Sequence, residues 1–182
     1  MSRADAVRNR ARVLAAADAV FGEKGATAST EEVAARAGVG IATVFRHFPT
    51  KQDLLEAIVL ARLERLLAVA ETLVAEGGDD GFATLFARFV EEAVNKRVFG
   101  DVLTHAGEGF RTANTAIVDG LWAAFATLIA RGQAAGQVRQ GFDVDDVQIL
   151  LAGAHQALQR AGDDPTRHAR LLAILLDGVR GH

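Results

Sequence analysis

The chain has 182 residues, of which 50% are hydrophobic, and a formal net charge of −3 at pH 7. A chain of this size can bury a core in one domain, or in a small domain joined to a larger one. It has no cysteine, which excludes disulfides and thiolate metal sites. Because no apolar run approaches the ~20 residues that span a bilayer, and the N-terminus does not resemble a signal peptide, we expect a cytoplasmic protein with no membrane partner.

The basic residues are concentrated at the start of the chain. Residues 1–51 carry eight Lys or Arg against five Asp or Glu, a net charge of +3, and the remaining residues carry 12 against 18, a net charge of −6. This asymmetry suggests a basic N-terminal segment that meets a polyanion. Chance clustering of charge on solvated faces is the alternative.

Helical patterns run through almost the whole chain. Proline occurs only at Pro49 and Pro165, stretches rich in Ala, Leu, Glu and Arg recur, and alternating strand patterns are absent. We therefore expect an all-α fold of about nine helices, with a small domain at 1–52 and a larger one at 53–182.

Capping signals divide the first 40 residues into two helices. The first helix carries an apolar stripe and ends at Gly25, a candidate left-handed C-cap. Ser29 opens the second helix, and Glu32 three residues later completes a capping box. Gly38 then permits a tight turn.

A third helix follows over residues 41–47. Pro49 moves Phe48 out of helical geometry, and Thr50 is placed to cap a fourth, long helix. Two short helices joined by about three residues that include glycine make a helix-turn-helix. This pattern predicts DNA binding, with the third helix in the major groove.

The third helix has an inward and an outward side. Val44 and Phe48 are four residues apart and can anchor it inward, which leaves Thr43, Arg46 and His47 as candidate polar contacts. Arg46 is suited to guanine O6 and N7 or to a phosphate, and Thr43 to a base edge or a thymine methyl. His47 and Lys51 are better suited to phosphates.

Three segments resemble the DNA-binding head of TetR-family transcriptional repressors in order and spacing. They are "VLAAADAVFGEKG", "STEEVAARAGVG" and "ATVFRHFPTKQDLLEAI", and they cover about the first 55 residues. The resemblance includes the A-x-x-A-G-V turn and the (F/Y)-x-H-F-x-(S/T)-K tail. It implies a homodimer that binds a palindromic operator on double-stranded DNA and releases it when a C-terminal helical domain takes a small ligand.

Four positions of this region depart from the family pattern, in which Ser, a polar residue, Gly and Tyr are common where this chain has Gly40, Ile41, Ala42 and Phe45. We therefore expect base readout through Thr43 and Arg46, with Ile41 and Ala42 against thymine methyls. The alternative is that Ile41 and Phe45 merely pack. The candidate DNA-binding residues are Ser29, Thr30, Gly40, Ile41, Thr43, Phe45, Arg46, His47, Thr50 and Lys51.

A second, larger domain begins after the break "EGGDDG" at 76–81. Its aromatic residues could line a cavity for a small apolar or amphipathic effector, although ordinary core packing is the alternative. An indole N–H or an imidazole in an apolar setting needs a partner that a ligand can provide. The candidate ligand-binding residues are Phe86, Phe89, His105, Phe110, Trp122, Phe125 and His155.

The last two helices carry apolar residues on more than one side, and Pro165 suits the first turn of the final helix. In a small protein we expect a second subunit to cover the additional apolar side. Two helices from each protomer would then form a four-helix interface. The candidate interface residues are Val147, Leu151, Ala154, Leu158, Leu171, Leu172, Leu175 and Val179.

Catalytic chemistry is poorly provided for, and we expect no enzyme, metal site or cofactor. Serine occurs only at positions 2 and 29, tyrosine is absent, and the five histidines show no tight metal spacing. Paired carboxylates such as Asp145 and Asp146 are most simply solvated acids or helix-start acids. The main alternative to a repressor is an all-α interaction module that binds protein and not DNA.

Overall fold

The computed structural model describes residues 3–78, 80–95, 108–162 and 164–181, and these residues are almost entirely helical. Within this part of the chain the only β-type pairing is an isolated antiparallel bridge between Val138 and Arg180. The all-α prediction is confirmed. The helices are α1 (Arg3–Lys24), α2 (Thr30–Ala37), α3 (Ile41–His47), α4 (Lys51–Glu76), α5 (Gly81–Asn95), α6 (Glu108–Ala113), α7 (Thr115–Ala134), α8 (Val144–Ala161) and α9 (Pro165–Val179).

The start and end of α2 follow from its flanking residues. The Ser29 hydroxyl accepts a hydrogen bond from the Glu32 backbone N–H at 3.2 Å, and the Glu32 carboxylate accepts one from the Ser29 N–H at 2.9 Å. Gly38 ends the helix in the left-handed region, at φ 64°. Both features confirm the predicted capping box and turn.

A second reciprocal cap opens α4. The Asp53 backbone N–H donates to the Thr50 hydroxyl at 3.0 Å, and the Thr50 N–H donates to the Asp53 carboxylate at 2.9 Å. Phe48 is extended at φ −137°, as predicted for the residue before Pro49. The end of α3 and the start of α4 are therefore determined by residues that are close to them in the sequence.

The chain forms two compact units. The head unit contains the described residues of 1–62 and 95–110, and the body unit contains those of 63–94 and 111–182. The beginning of α4, up to Arg62, belongs to the head unit, beyond the boundary after residue 52 that the sequence suggests. The buried apolar side chains of the head unit include Val13, Ala17, Val20, Phe21, Val33, Ala34, Ala37, Val44, Phe48, Leu54 and Ile58.

A buried ion pair joins α1 to α4 inside the head unit. The Arg62 side chain is only 1% exposed, and its Nε lies 2.8 Å from the Asp18 Oδ1, which also accepts from Nη2. A guanidinium so deeply buried is stable only when a charge compensates it. The pair therefore fixes the position of α4 against α1.

Aromatic packing dominates the body unit. Phe82 lies 5.8 Å from Phe86, 6.3 Å from Phe125 and 5.6 Å from Phe142, as measured between ring centroids. Phe82 stacks against Phe86 and meets Phe125 and Phe142 edge to face, and both arrangements are favourable for aromatic rings. The cluster joins α5 to α7 and to the loop that follows α7.

The last two helices have strong local caps. Asp143 and Asp146 form a capping box at the start of α8, which confirms that the acids at 145 and 146 begin a helix. Asp164 caps α9, with Pro165 in its first turn as predicted. After α9, the Gly181 N–H donates to the Gln137 carbonyl at 3.0 Å, which ties the end of the chain to the loop after α7.

Candidate nucleic-acid interface

The third helix is oriented by two buried anchors. Val44 is fully buried and Phe48 is 3% exposed, which confirms the predicted inward side. At about 100° per residue, Ala42 and Arg46 lie on the opposite side of the helix, and both are exposed. Thr43 is half-buried on one flank.

The other flank of α3 is apolar and faces outward. Ile41 is 36% exposed and Phe45 is 42% exposed, although both are large hydrophobic residues. They are one helical turn apart and therefore neighbours on one face. Packing within the chain therefore covers only part of each side chain and leaves the rest of its apolar surface open.

Three cations of the head unit are paired with acids on the surface. Arg8 pairs with Asp5, Lys24 with Glu32, and Arg36 with Glu23 at 2.8 Å. The Arg36 guanidinium lowers the pKa of the Glu23 carboxyl, and the Lys24 ammonium lowers that of Glu32. These charges already have partners within the head unit.

Further cations near α3 contact backbone carbonyls and aromatic rings. The Arg12 guanidinium donates to the Ala37 carbonyl at 2.6 Å at the end of α2. The Arg10 guanidinium lies 5.1 Å from the centre of the Phe48 ring. These contacts hold α1 against the helix-turn-helix.

Lys51 also contacts a backbone carbonyl and an aromatic ring. Its Nζ donates to the Ala28 carbonyl at 2.8 Å and lies 5.4 Å from the centre of the Phe21 ring. A phosphate contact from Lys51, which the sequence suggests, would therefore compete with these bonds or add to them.

Arg46 differs from these cations. Its side chain is exposed and has no hydrogen-bond or ion-pair partner in the part of the chain that the structure describes. His47 is half-buried, and its Nε2 is buried with no hydrogen-bond partner among the described residues. Of the two, Arg46 is the side chain that can extend to an external anion or base.

The polar candidates at the helix starts are engaged locally. The hydroxyls of Ser29 and Thr50 belong to the caps of α2 and α4, and the Thr50 hydroxyl also donates to Asp53 at 2.8 Å. Thr30 is buried, with 9% of its surface exposed. No pattern in the sequence predicts this burial. Gly40 precedes α3 and provides no side-chain cap for that helix.

The aromatic candidates for an effector site lie mainly in the packed core of the body unit. Phe86 and Phe125 are fully buried, and Phe89 is 7% exposed. Trp122 is half-buried and lies 6.4 Å from Phe89 and 5.8 Å from Phe125, between ring centroids. Phe110 is also half-buried, but it belongs to the head unit and not to the body unit.

Of the two histidine candidates, one lies within the described residues. His155 is 6% exposed, and its Nε2 lies 2.9 Å from the side-chain nitrogen of Gln159. His105 lies outside the described residues.

A cavity of about 210 Å³ opens at another place in the body unit. It lies between the start of α5, the loop after α7 and the end of α9, and sequence reasoning did not identify it. None of the aromatic candidates above lines it. Its lining residues are Asp80, Phe82, Ala83, Gln137, Val138, Leu176, Val179, Arg180 and Gly181.

The interface candidates on α8 and α9 divide into two groups. Val147, Ala154, Leu158 and Val179 are buried within the chain itself. Leu151, Leu171, Leu172 and Leu175 are half-buried. The large apolar side chains that these helices expose most are Ile149, at 70%, and Ile174, at 59%, which the sequence analysis did not single out.

Two family models match the chain. Residues 13–58 match the model of bacterial regulatory proteins of the tetR family, and residues 78–181 match the C-terminal domain of SbtR-like transcriptional regulators. The first match contains α2, α3 and the start of α4. No curated protein matches the chain in sequence.

Solved structures give the same result over the full length. A TetR transcription regulatory protein from Mycobacterium vanbaalenii is 34% identical, with 98% of each chain covered and a TM-score of 0.68. The TetR regulator SCO0520 from Streptomyces coelicolor is 30% identical, with 94% of this chain and 98% of that chain covered and the same TM-score. FadR from Bacillus subtilis, solved in complex with stearoyl-CoA, shares the fold at 16% identity and a TM-score of 0.64, with 92% and 98% covered.

Proposed function

Because this chain belongs to the TetR family of DNA-binding transcription regulators, we propose that it is a repressor that binds a palindromic operator as a homodimer. In this proposal α3 enters the major groove, and a small apolar or amphipathic effector releases the DNA. Its place of action is the cytoplasm, where the operator lies. The proposed DNA-binding residues are those of the sequence analysis, with Arg46 as the main contact.

The observation that carries this proposal is the state of Arg46. Neighbouring cations of the head unit pair with acids, cap a helix or lie over a ring, whereas Arg46 has no partner among the described residues. It projects opposite the buried Val44, from a helix that the head core holds in place. A cation that is rigidly presented without a partner is suited to guanine O6 and N7 or to a phosphate.

The homodimer is proposed on the exposed apolar side chains of α8 and α9. Ile149 and Ile174 expose more than half of their surface to water, which is unfavourable for apolar side chains. Contact with a second copy of the chain would bury this surface. In a two-fold interface the same patch is used on both subunits. Such symmetry would place the two α3 helices about one DNA turn, roughly 34 Å, apart.

The effector is proposed to bind the body unit near Trp122. This indole is half-buried at the edge of the aromatic cluster, next to Phe89 and Phe125. FadR from Bacillus subtilis, which shares this fold, binds stearoyl-CoA, an amphipathic ligand. An effector that prefers one state of the dimer shifts its population by no more than its differential affinity.

The DNA-binding proposal is tested by selection of duplexes from a random library, followed by anisotropy titrations with the selected sequence. Arg46→Ala is expected to weaken binding by about 1–3 kcal/mol and to relax specificity at one position. Arg88→Ala, which removes an exposed arginine of the body unit, is the matched control and should bind like the parent. Equal affinity of the Arg46→Ala and parent proteins would contradict the proposal.

The effector proposal is tested with the intrinsic fluorescence of Trp122, the only tryptophan in the chain. Fatty acids, fatty acyl-CoAs and small aromatic compounds are titrated into the protein bound to the selected duplex. Compounds that change the emission should also release the duplex at the same concentration. A compound that releases DNA without any effect on the Trp122 emission would place the effector elsewhere.

A further inference from the structure

The apolar flank of α3, formed by Ile41 and Phe45, is unusual for a surface that meets DNA. Six large hydrophobic residues of the described chain are prominently exposed, and two of them lie in this seven-residue helix. Ala42, also exposed, lies beside them. The outward side of α3 is therefore more apolar than a set of phosphate contacts requires.

The major groove offers few partners to such side chains. Its base edges present hydrogen-bond donors and acceptors, and the C5 methyl of thymine is the one apolar group among them. An isoleucine or phenylalanine pressed against the other edges would remove water from polar groups without replacing the hydrogen bonds, which is costly. Ile41 and Phe45 are therefore matched in chemistry to thymine methyls.

Helix geometry places the apolar flank beside the cation. Phe45 directly precedes Arg46, and Ile41 lies one turn before Phe45, so the three side chains lie on adjoining parts of the outward surface of α3. Val44 and Phe48 anchor the helix from the inside, so the flank cannot turn away without breaking the core.

We propose that this regulator reads thymine C5 methyls through Ile41 and Phe45, next to the base or phosphate that Arg46 contacts. This inference rests on the proposed operator binding and specifies what the operator must contain. Each half-site carries at least one thymine, and its methyl group contributes to affinity independently of the hydrogen bonds of the base pair.

The test replaces thymine by 2′-deoxyuridine in the selected duplex. Deoxyuridine pairs like thymine and lacks only the C5 methyl, so the protein itself is unchanged. Removal of one buried methyl is expected to weaken binding by about fourfold, and removal from both half-sites by about 16-fold. Thymines outside the contacted positions serve as the control and should tolerate the same replacement.

Two protein variants locate the methyl contact. Ile41→Ala and Phe45→Ala should bind the thymine duplex less tightly and lose most of the difference between thymine and deoxyuridine. Val69→Ala removes an equally exposed apolar side chain in the body unit, and it should retain the full difference. Arg46→Ala should bind both duplexes more weakly and keep their ratio.

The outcomes separate this inference from the function on which it rests. If a sequence is selected but deoxyuridine binds as tightly as thymine, the methyl contact is wrong and operator binding stands. The same conclusion follows if the selected half-sites contain no thymine. If no sequence is selected at all, the proposed operator binding fails, and the methyl contact fails with it.

Discussion

The head unit and the last two helices differ in the interactions that they bury and in the side chains that they expose. The head unit buries an ion pair, Arg62 with Asp18, and presents Arg46 outward. Helices α8 and α9 contain no buried ion pair among their described residues, and they present Ile149 and Ile174. Exposed charge and exposed apolar surface are suited to different partners.

This difference is the basis of the partner proposed for each surface. A charged surface gains from a polyanion and loses that gain as salt rises, whereas an apolar surface gains from a second apolar surface and depends little on salt. These properties fit the partners proposed above, which are DNA for the head unit and a second copy of the chain for α8 and α9. Four substitutions test this contrast.

The largest effect is expected from Asp18→Asn. This change removes the negative charge of Asp18 from the buried guanidinium of Arg62, and the free energy of unfolding should fall by about 3–5 kcal/mol, toward the lower end because Asp18 is partly exposed. Urea denaturation measures the change. Asp5→Asn, in the exposed pair with Arg8, is the control and should cost no more than about 1 kcal/mol. Similar losses in both variants would show that the buried pair has no special role.

Ile174→Asp tests the apolar surface of the body unit. A two-fold interface contains the residue twice, so loss of about 1.5 kcal/mol per buried isoleucine weakens the dimer by about 3 kcal/mol. Sedimentation velocity at micromolar concentration should find a monomer where the parent is a dimer. Val69→Asp is the control and should remain dimeric. A parent protein that is itself monomeric would contradict the proposed interface.

A smaller effect is expected from Ser29→Ala at the start of α2. Loss of the hydroxyl that caps the Glu32 N–H should reduce the free energy of unfolding by about 1 kcal/mol, whereas Ser29→Gly should cost a few tenths. Asp143→Ala removes the corresponding cap of α8. If the two units unfold in separate transitions, the serine variant should move only that of the head unit. A serine variant as stable as the parent would argue against the cap.

The smallest effect concerns pH. The Lys24 ammonium and the Ser29 N–H lower the pKa of Glu32 below its ordinary value of 4.5. A carboxyl with a lowered folded-state pKa stabilises the fold above its unfolded pKa and loses this contribution as pH falls through the folded pKa. Stability of the head unit should therefore decline below about pH 4.5, and Glu32→Gln should show a shallower decline. Parallel pH profiles for the parent and Glu32→Gln would contradict the assignment.

Local signals in the sequence predicted the helix-turn-helix well. The capping box at Ser29, the left-handed Gly38 and the inward anchors Val44 and Phe48 each depend on residues within a few positions of one another. Short-range patterns of this kind are determined by backbone hydrogen bonds and helix periodicity. These parts of the fold therefore need no tertiary information.

Contacts between distant residues were not predictable in this way. Asp18 and Arg62 are 44 residues apart, and either one alone resembles an ordinary surface charge. The apolar periodicity of α8 and α9 indicated two covered sides, but not which side faces the chain's own core. The structure assigns Val147 and Leu158 to that core and leaves Ile149 and Ile174 exposed.

The central claim is that the head unit binds duplex DNA through its exposed cations, above all Arg46. Its most direct test is the affinity for the selected duplex as a function of salt concentration. Each phosphate contact contributes about −0.9 to the slope of log affinity against log salt, so one contact from each subunit of a dimer should together lower the affinity about tenfold between 50 and 200 mM. An affinity that stays constant over this range would contradict the account and favour a protein-binding module.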